Sequence, residues 1–415
     1  MNEKLEQLFI ERVIRRQEKA NERILKEIGR ILKEIGELKF SELYSINQQL
    51  KYGESLDKII KTLSEIANIN EIEIYKMLEK SSIVNLEQSK KYFLARGIDF
   101  IPYEENIALQ MQVESIARAT NRIYSNIALT TGFTYLDMAG NRVTKPLERA
   151  YYDIIDEAIY NVQQGKETFD EALKKQIKVL GESGIQSIEY TSGTHRRIDS
   201  ALRMNMQDGL NQLNIKQQEI VGEQFGANMI EVTHHENSAP DHIDSVDGRQ
   251  FVLLDILKRQ IATGEEKEIK NKDLRENGVY YKGKFYYDFN YTNENLQRQV
   301  GKLNCRHRTF TGILGIDEPR YTEEQLKADK EKNEKGFEFE GKHYTLYEGE
   351  QLLRKIELEI KKSRETRILA KSSGSEELYQ QQTSRINKLI NKYHDVLNVS
   401  GLKSQLERSR VLTNK

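Results

Sequence analysis

At 415 residues, the chain is long enough for about two to four structural units and at least one sizeable core. Only 37% of the residues are hydrophobic and 31% are charged, so much of the chain should form solvated or partner-covered helices. The 64 basic and 65 acidic residues nearly cancel, which excludes a general polyanion binder and confines any nucleic-acid contact to a local patch.

No stretch approaches the roughly 18 uninterrupted apolar residues of a membrane span. Cys305 has no partner for an internal disulfide, and we expect synthesis in a reducing cytoplasm.

Residues 1–100 predict an N-terminal helical region. One apolar stripe repeats at spacings of four and three, which places its members on one helix face. The stripe consists of Ile24, Ile28, Ile31, Ile35 and Leu38. Residues 41–95 predict shorter helical pieces, punctuated by Asn68 and Asn70. Pro102 predicts a boundary, because the residue before a proline is pushed out of the helical conformation.

Residues 101–227 predict a central helical region. A second stripe runs from Leu109 to Ile127, and Pro146 is well placed to start the next helix, because its fixed φ suits a first turn. Thr168 and Glu171 form a capping-box pattern for a further helix. A long helix is predicted from about His195 to Glu223.

Residues 228–321 predict a small α+β module, because the apolar period changes there. Met229 to His235 is typical of a strand. Val279 to Phe289 is dense in aromatic and β-branched residues around Gly283, which predicts a β-hairpin.

Residues 322–415 predict a β-hairpin followed by a basic helical hairpin. The hairpin spans Phe337 to Tyr347, with its turn at Glu340 and Gly341. Two helices, at 350–370 and 376–397, follow it and are separated by a serine- and glycine-rich joint. The chain is therefore predicted to be mainly α and elongated, with a small α+β module in the C-terminal half and a helical-hairpin C-terminus.

Four of the seven histidines and the only cysteine lie in the 228–321 module. Imidazole and thiolate are the ligands that zinc favours. A tetrahedral set could be formed by His235, His242, Cys305 and His307.

The spacing of these four residues favours a different interpretation. Six residues separate the two histidines and one separates Cys305 from His307, which matches no standard zinc-finger spacing. A polar structural core, in which buried polar groups satisfy one another, is therefore favoured, with zinc as the alternative and no other cofactor expected. The residues of this core are His234, Asp241, Gly248, Arg249, Asn304 and Arg306.

An enzymatic function is the less favoured alternative. Histidine, asparagine and aspartate can hold a divalent ion and activate water, as in metal-dependent nucleases. The histidine segments, however, show no recognisable strand and helix frame around a catalytic pair. Phosphate-binding loops, dinucleotide-binding glycine motifs and the nucleophile elbow of hydrolases are absent from the sequence.

The basic C-terminal helices suggest either DNA contact or docking on a partner subunit. From residue 353 to 415, 14 lysines and arginines face 7 acidic residues. Interleaved glutamates favour docking, because a dedicated phosphate-binding stripe would exclude carboxylates. Residues that would contact DNA are Arg354, Lys355, Lys361, Lys362, Arg364 and Arg367.

The order of these motifs resembles the phage minor capsid protein 2 family, and more remotely the head-morphogenesis proteins encoded beside portal genes. The resemblance covers nearly the whole chain. Its most specific part is the series of histidine, Pro-x-His, Gly-Arg and Asn-Cys-Arg-His motifs, followed by Tyr-Thr-Glu-Glu-Gln. The ordered set comprises Gly29 to Leu38, Tyr190 to Arg203, Glu231 to His235, Pro240 to His242, Gly248 to Gln250, Asn304 to His307, Gly315 with Ile316, Tyr321 to Gln325, and Ser400 to Leu402.

The resemblance implies a structural protein of a tailed phage, not an enzyme, that is incorporated into the procapsid near the portal. The implied location is the virion, in the capsid interior or by the portal, after synthesis in the host cytoplasm. The implied partners are the portal protein and the major capsid or scaffolding protein, with phage DNA as a further candidate and no membrane.

Overall fold

The computed structural model describes residues 3–38, 45–164, 169–187, 196–302 and 305–409, and it is mainly helical, as predicted. Apolar residues at helical spacing account for most of its elements. In the N-terminal half these are α1 (Glu3–Glu37), α2 (Ile46–Arg96), α3 (Ile107–Leu129), β1 (Thr131–Leu136), β2 (Arg142–Pro146), α4 (Leu147–Gln164), α5 (Phe169–Ser183), β3 (Gln186–Ser187), β4 (Arg196–Arg197) and α6 (Ile198–Phe225).

Short strands and helices alternate in the next part of the chain, and two longer helices follow. The elements are β5 (Met229–Val232), α7 (Pro240–Ile243), β6 (Gln250–Val252), α8 (Leu254–Thr263), β7 (Leu274–Arg275), β8 (Gly278–Tyr281), β9 (Lys284–Tyr287), α9 (Phe289–Glu294), β10 (Thr309–Gly312), α10 (Glu323–Lys335), β11 (Phe337–Phe339), β12 (Lys342–Tyr344), α11 (Leu346–Ser373) and α12 (Glu376–Ser400). Short 3-10 turns lie at Asn271–Asp273 and Leu406–Ser409. None of the helices in the described residues is long and apolar enough to span a bilayer.

Two compact units form, each from three separate stretches of the chain. The first unit contains Met1–Gln7, Ile74–Thr120 and Met204–Tyr347. The second contains Leu8–Glu73, Asn121–Arg203 and Glu348–Lys415. The division into four consecutive regions stays a prediction.

In the second unit, the predicted stripe of α1 forms part of the core, and its residues from Ile24 to Ile35 are buried. The prediction of several short helices between residues 41 and 95 was wrong, because α2 runs unbroken for 51 residues. Asn70, expected to interrupt the helix, is instead buried and donates a hydrogen bond to the Tyr124 hydroxyl at 2.7 Å. A tertiary partner therefore compensates for the low helix propensity of asparagine.

The second unit also contains a small sheet that the sequence analysis missed. Its strand order is β2-β1-β3-β4, and β1 pairs antiparallel with β2 from Gly132 opposite Pro146 to Leu136 opposite Arg142. Helix α4 begins immediately after Pro146, as predicted. The predicted cap at Thr168 lies outside the described residues.

In the first unit, β5 is the central strand of a sheet with the order β10-β5-β6. Alternate side chains of a strand point to opposite faces. Met229 accordingly packs in one apolar cluster, with Val252 and Leu314, while Ile230 and Val232 pack in another with Phe251. Apolar residues thus cover both faces of this short strand.

Both predicted β-hairpins are confirmed. Strands β8 and β9 turn at Lys282 and Gly283, and strands β11 and β12 turn at Glu340 and Gly341. All four turn residues have positive φ, as the tightest hairpin loops require. The predicted helical hairpin is formed by α11 and α12.

Candidate metal centre

Pairing of β5 with β10 brings together the two distant histidine segments of the first unit. Val232, at the end of β5, lies opposite Thr309, at the start of β10. One residue further on, the Thr233 amide donates to the Arg308 carbonyl at 2.9 Å. Because antiparallel strands place the end of one beside the start of the other, His307 lies close to the residues that follow β5. The predicted strand at Met229 to His235 is present as β5, and its pairing with β10 supplies a frame that the sequence did not reveal.

The short helix α7 supplies His242. Pro240 is its first residue, where its fixed φ suits a helical turn. The His242 carbonyl accepts hydrogen bonds from the amides of Val246 and Asp247, which closes the turn after the helix. The His242 side chain is completely buried.

Three of the four predicted ligands converge in one buried cluster. The Nδ1 atoms of His242 and His307 lie 3.2 Å apart. Cys305 Sγ lies 3.5 Å from His307 Nδ1 and 3.8 Å from His242 Nδ1. Among the described residues, these three form the group of side chains whose spacing suits a metal ion, and all three are buried.

Hydrogen bonds on the outer nitrogens fix how the two imidazoles face the cluster. His242 Nε2 lies 2.6 Å from the Arg298 carbonyl oxygen, which can only accept, so this nitrogen carries a proton. His307 Nε2 lies 2.8 Å from the Asp247 carboxylate and donates to it. A neutral histidine carries one ring proton, so each neutral ring turns a lone pair on Nδ1 toward the cluster.

Electrostatics favour charge separation within the cluster. Burial alone would raise the pKa of the Cys305 thiol, but the hydrogen bonds with His242 and His307 outweigh it and lower the pKa to about 5. Burial acts in the opposite sense on His307, but hydrogen bonds with Asp247 and Cys305 raise its pKa to about 9. The two pKa shifts therefore favour a thiolate at Cys305 beside a protonated His307.

Asp247 organises the surroundings of the cluster, and the sequence analysis did not place it in the site. Its carboxylate accepts from the His235 amide at 2.9 Å and from the Ser238 hydroxyl at 2.6 Å, besides binding His307. Its second oxygen lies 2.6 Å from His234 Nδ1. Burial would raise the pKa of Asp247, but the hydrogen bonds from these side chains hold it well below its usual range.

His235, the fourth predicted ligand, lies next to the cluster but outside the group of three. Its ring is edge-on to that of His307, with centroids 4.9 Å apart. His234, predicted in the polar core, bridges Asp247 and Asp329 of α10, 2.9 Å from its Nε2. Its hydrogen bond with Asp247 is the main reason that its pKa is raised.

The other residues of the predicted polar core have different environments. Asp241 pairs with Arg298 at 3.0 Å, and Gly248 has a φ of 69°. A Cβ at Gly248 would lie 2.5 Å from a methyl of Leu326, so this turn requires glycine. The Arg249 side chain is exposed, and that of Arg306 is half-buried. Asn304 lies outside the described residues.

The basic residues proposed for DNA contact lie on α11 in the second unit, where most pair within the protein. Lys361 is buried and contacts Glu18 and Asp199 at 3.0 and 2.7 Å. Intramolecular partners of the others are Glu350 for Arg354, Glu359 for Lys362, the Ser409 carbonyl for Arg364, and the Tyr379 ring for Arg367. Lys355 is exposed. DNA contact stays a prediction.

Comparison with known proteins identifies the family. The model of the family described as Phage minor capsid protein 2 matches residues 2–398, which confirms the resemblance. The chain belongs to this family and is a structural protein of a phage head, with a location in the virion. No curated protein and no solved structure matches the chain.

Proposed function

We propose that the chain is a structural component of the head of a tailed phage, not an enzyme, and that it enters the procapsid near the portal. The observation that carries this proposal is the family match over residues 2–398. Its proposed partners are the portal protein and the major capsid or scaffolding protein. The whole chain, including both compact units, would then act in assembly.

An exposed apolar surface in the first unit supports docking on another head protein. It lies where α2 ends and α3 begins, and Leu94, Ile107 and Met111 are each about two-thirds exposed. Ile107 and Met111 are four residues apart, so they share one face of α3. Ile98 and Ile101, between the two helices, are exposed as well. Grouped apolar side chains of this kind mark protein interaction sites.

Co-expression with the portal, scaffolding and major capsid proteins tests the proposal. We expect the chain to sediment with assembled particles, and the variant Ile107→Ser/Met111→Ser to be reduced in them. Ile123→Ser provides the control, because Ile123 is also exposed on α3 but lies further along the helix. Normal particles that exclude the wild-type chain would refute a role in the head.

Assembly without the portal protein tests the position within the head. If the chain lies at the portal, particles assembled from scaffolding and capsid proteins alone should lose it. Retention in such particles would place it elsewhere in the head and would leave the structural role intact.

Two assays address the alternatives. Cleavage of duplex DNA by the purified chain with Mg²⁺, Mn²⁺ or Zn²⁺ would contradict a purely structural role. DNA contact through α11 and α12 predicts duplex affinity that falls with salt and weakens in Lys355→Glu. Binding that is absent, or independent of salt, would eliminate that contact.

A further inference from the structure

We propose that His242, Cys305 and His307 bind one zinc ion through their Nδ1, Sγ and Nδ1 atoms, and that this ion clamps the first unit. This metal site goes beyond the proposed function, because it depends neither on the portal nor on any other head protein. It rests on donor spacing, on the orientation of the lone pairs and on burial.

The spacing of the three donor atoms is that of a tetrahedral zinc site. With Zn–N bonds of about 2.0–2.1 Å and Zn–S bonds of about 2.3 Å, tetrahedral angles place two nitrogens about 3.3 Å apart and nitrogen and sulfur about 3.6 Å apart. The observed nitrogen pair is 3.2 Å apart. The sulfur lies 3.5 and 3.8 Å from the two nitrogens. An ion can therefore be accommodated with only small movements of these side chains.

The hydrogen bonds outside the cluster are those that prepare a histidine for metal binding. Metal-binding histidines typically donate their other ring N–H to a carbonyl or a carboxylate. His242 does so to the Arg298 carbonyl and His307 to the Asp247 carboxylate. When both rings are neutral, as metal binding requires, the two Nδ1 lone pairs are thereby directed toward Cys305 Sγ.

Burial penalises an uncompensated cation, but here the Cys305 thiolate and the Asp247 carboxylate, bound to His307, would balance the charge of the ion. The side chains of His242, Cys305 and His307 are at most 5% exposed. Without an ion, the three donor atoms lie away from water with one proton shared among them, and the two Nδ1 atoms are 3.2 Å apart. A zinc ion would displace this shared proton to solvent and accept a lone pair from each of the three donor atoms. One coordination position remains for solvent or for His235.

A metal at this point would close a long loop of the chain. His242 and Cys305 are 63 residues apart, and the intervening segment contains β6 to β9 together with α8 and α9. Joining the ends of a long segment restricts the unfolded chain, so a metal clip here should stabilise the fold.

The metal content of the full-length chain, purified under reducing conditions and freed of any histidine tag, tests the proposal. We expect close to one zinc per chain by mass spectrometry of the metals. Cys305→Ser and His242→Ala should each lower this content at least fivefold. His343→Ala is the matched control and should retain the metal, because His343 is exposed on β12 of the same unit.

Cobalt provides a second measurement on the wild-type chain, which keeps the test valid if the variants fail to fold. After chelation, Co²⁺ should restore an absorption band of thiolate-to-cobalt charge transfer, and Zn²⁺ should displace it. Chelation should lower the melting temperature, and added Zn²⁺ should restore it. A chain that is purified without metal and takes up neither ion would refute the site and indicate that the cluster holds a shared proton instead.

Discussion

Lys361 donates a hydrogen bond to Asp199 over 2.7 Å inside the second unit. The same ammonium contacts Glu18 at 3.0 Å, so one buried lysine compensates two carboxylates. Arg197 lies beside them and binds Glu365. Burial alone would raise the pKa of Asp199, but Lys361 and Arg197 outweigh it and lower the pKa to about 2. Charge balance at this point is therefore a condition of the fold.

Replacing Lys361 with methionine should destabilise the protein strongly. The variant leaves Glu18 and Asp199 buried without their shared cation, which typically costs about 3–5 kcal/mol. Urea unfolding measures the loss. Lys355→Met, at an exposed position of the same helix, should change the free energy of unfolding by less than about 0.5 kcal/mol. Equal stability of the two variants would contradict the electrostatic role of Lys361.

Glu157 on α4 should make stability depend on pH near neutrality. Burial raises its pKa to about 7, despite a backbone hydrogen bond from Met138. A carboxyl group whose folded pKa is raised stabilises the protein below its unfolded pKa of about 4.5, and this contribution is lost as pH rises through 7.

Glu157→Gln should therefore gain about 1–2 kcal/mol over the wild type at pH 8 and little at pH 5. Urea titrations at the two pH values measure this difference. The same substitution at exposed Glu148, on the same helix, should show no such dependence. A wild-type stability that is flat between pH 5 and 8 would disprove the assignment.

Gly181 and Gly53 form a matched pair of helical glycines in the second unit. A Cβ at Gly181 would lie 2.5 Å from Thr366 Cα, whereas one at Gly53 would meet no atom within 4 Å. We expect Gly181→Ala to destabilise by more than about 2 kcal/mol, as overpacking against backbone does. Gly53→Ala should stabilise by up to about 1 kcal/mol through helix propensity. Thermal melting compares both with the wild type, and a stable Gly181→Ala protein would show that the contact is loose.

Removal of the Asp247 carboxylate should destabilise the first unit. Asp247→Ala leaves several buried donors unsatisfied, among them the Ser238 hydroxyl and the His235 amide, at about 1–3 kcal/mol each before relaxation. We expect a total loss of about 3 kcal/mol or more in urea unfolding. Asp244→Ala removes only an exposed pair with Lys330 and should cost less than about 1 kcal/mol. Comparable losses in both variants would mean that Asp247 is not the organising residue.

Long periodic patterns predicted the helices well, whereas short strands escaped prediction. The sheet of β1 to β4 was missed because β3 and β4 have two residues each and acquire their partners only in the folded unit. Asn70 misled the prediction for α2, because its hydrogen-bond partner Tyr124 lies 54 residues away. Both cases depend on tertiary contacts, which local sequence does not reveal.

In the candidate site, too, the sequence predicted the residue types but not the contacts between them. Residue type alone selected His242, Cys305 and His307, but their approach depends on the pairing of β5 with β10. The standard spacing of zinc-finger ligands argued against a metal site at these residues, because that spacing applies to ligands on one local turn or hairpin. Asp247 was missed as an organising residue because its role arises from four partners that meet only in the fold. Metal binding itself stays a prediction.

The stretches that form the two compact units alternate along the chain, and this order has a consequence for synthesis on the ribosome. The first unit takes its last stretch from residues up to Tyr347, and the second needs α11 and α12, which are made later still. Because chains emerge from the N-terminus onward, α1 lacks its contacts with α11 until most of the chain has been translated. Truncation after about residue 340 should therefore leave neither unit closed, and nascent chains of that length should be the ones that aggregate or recruit chaperones.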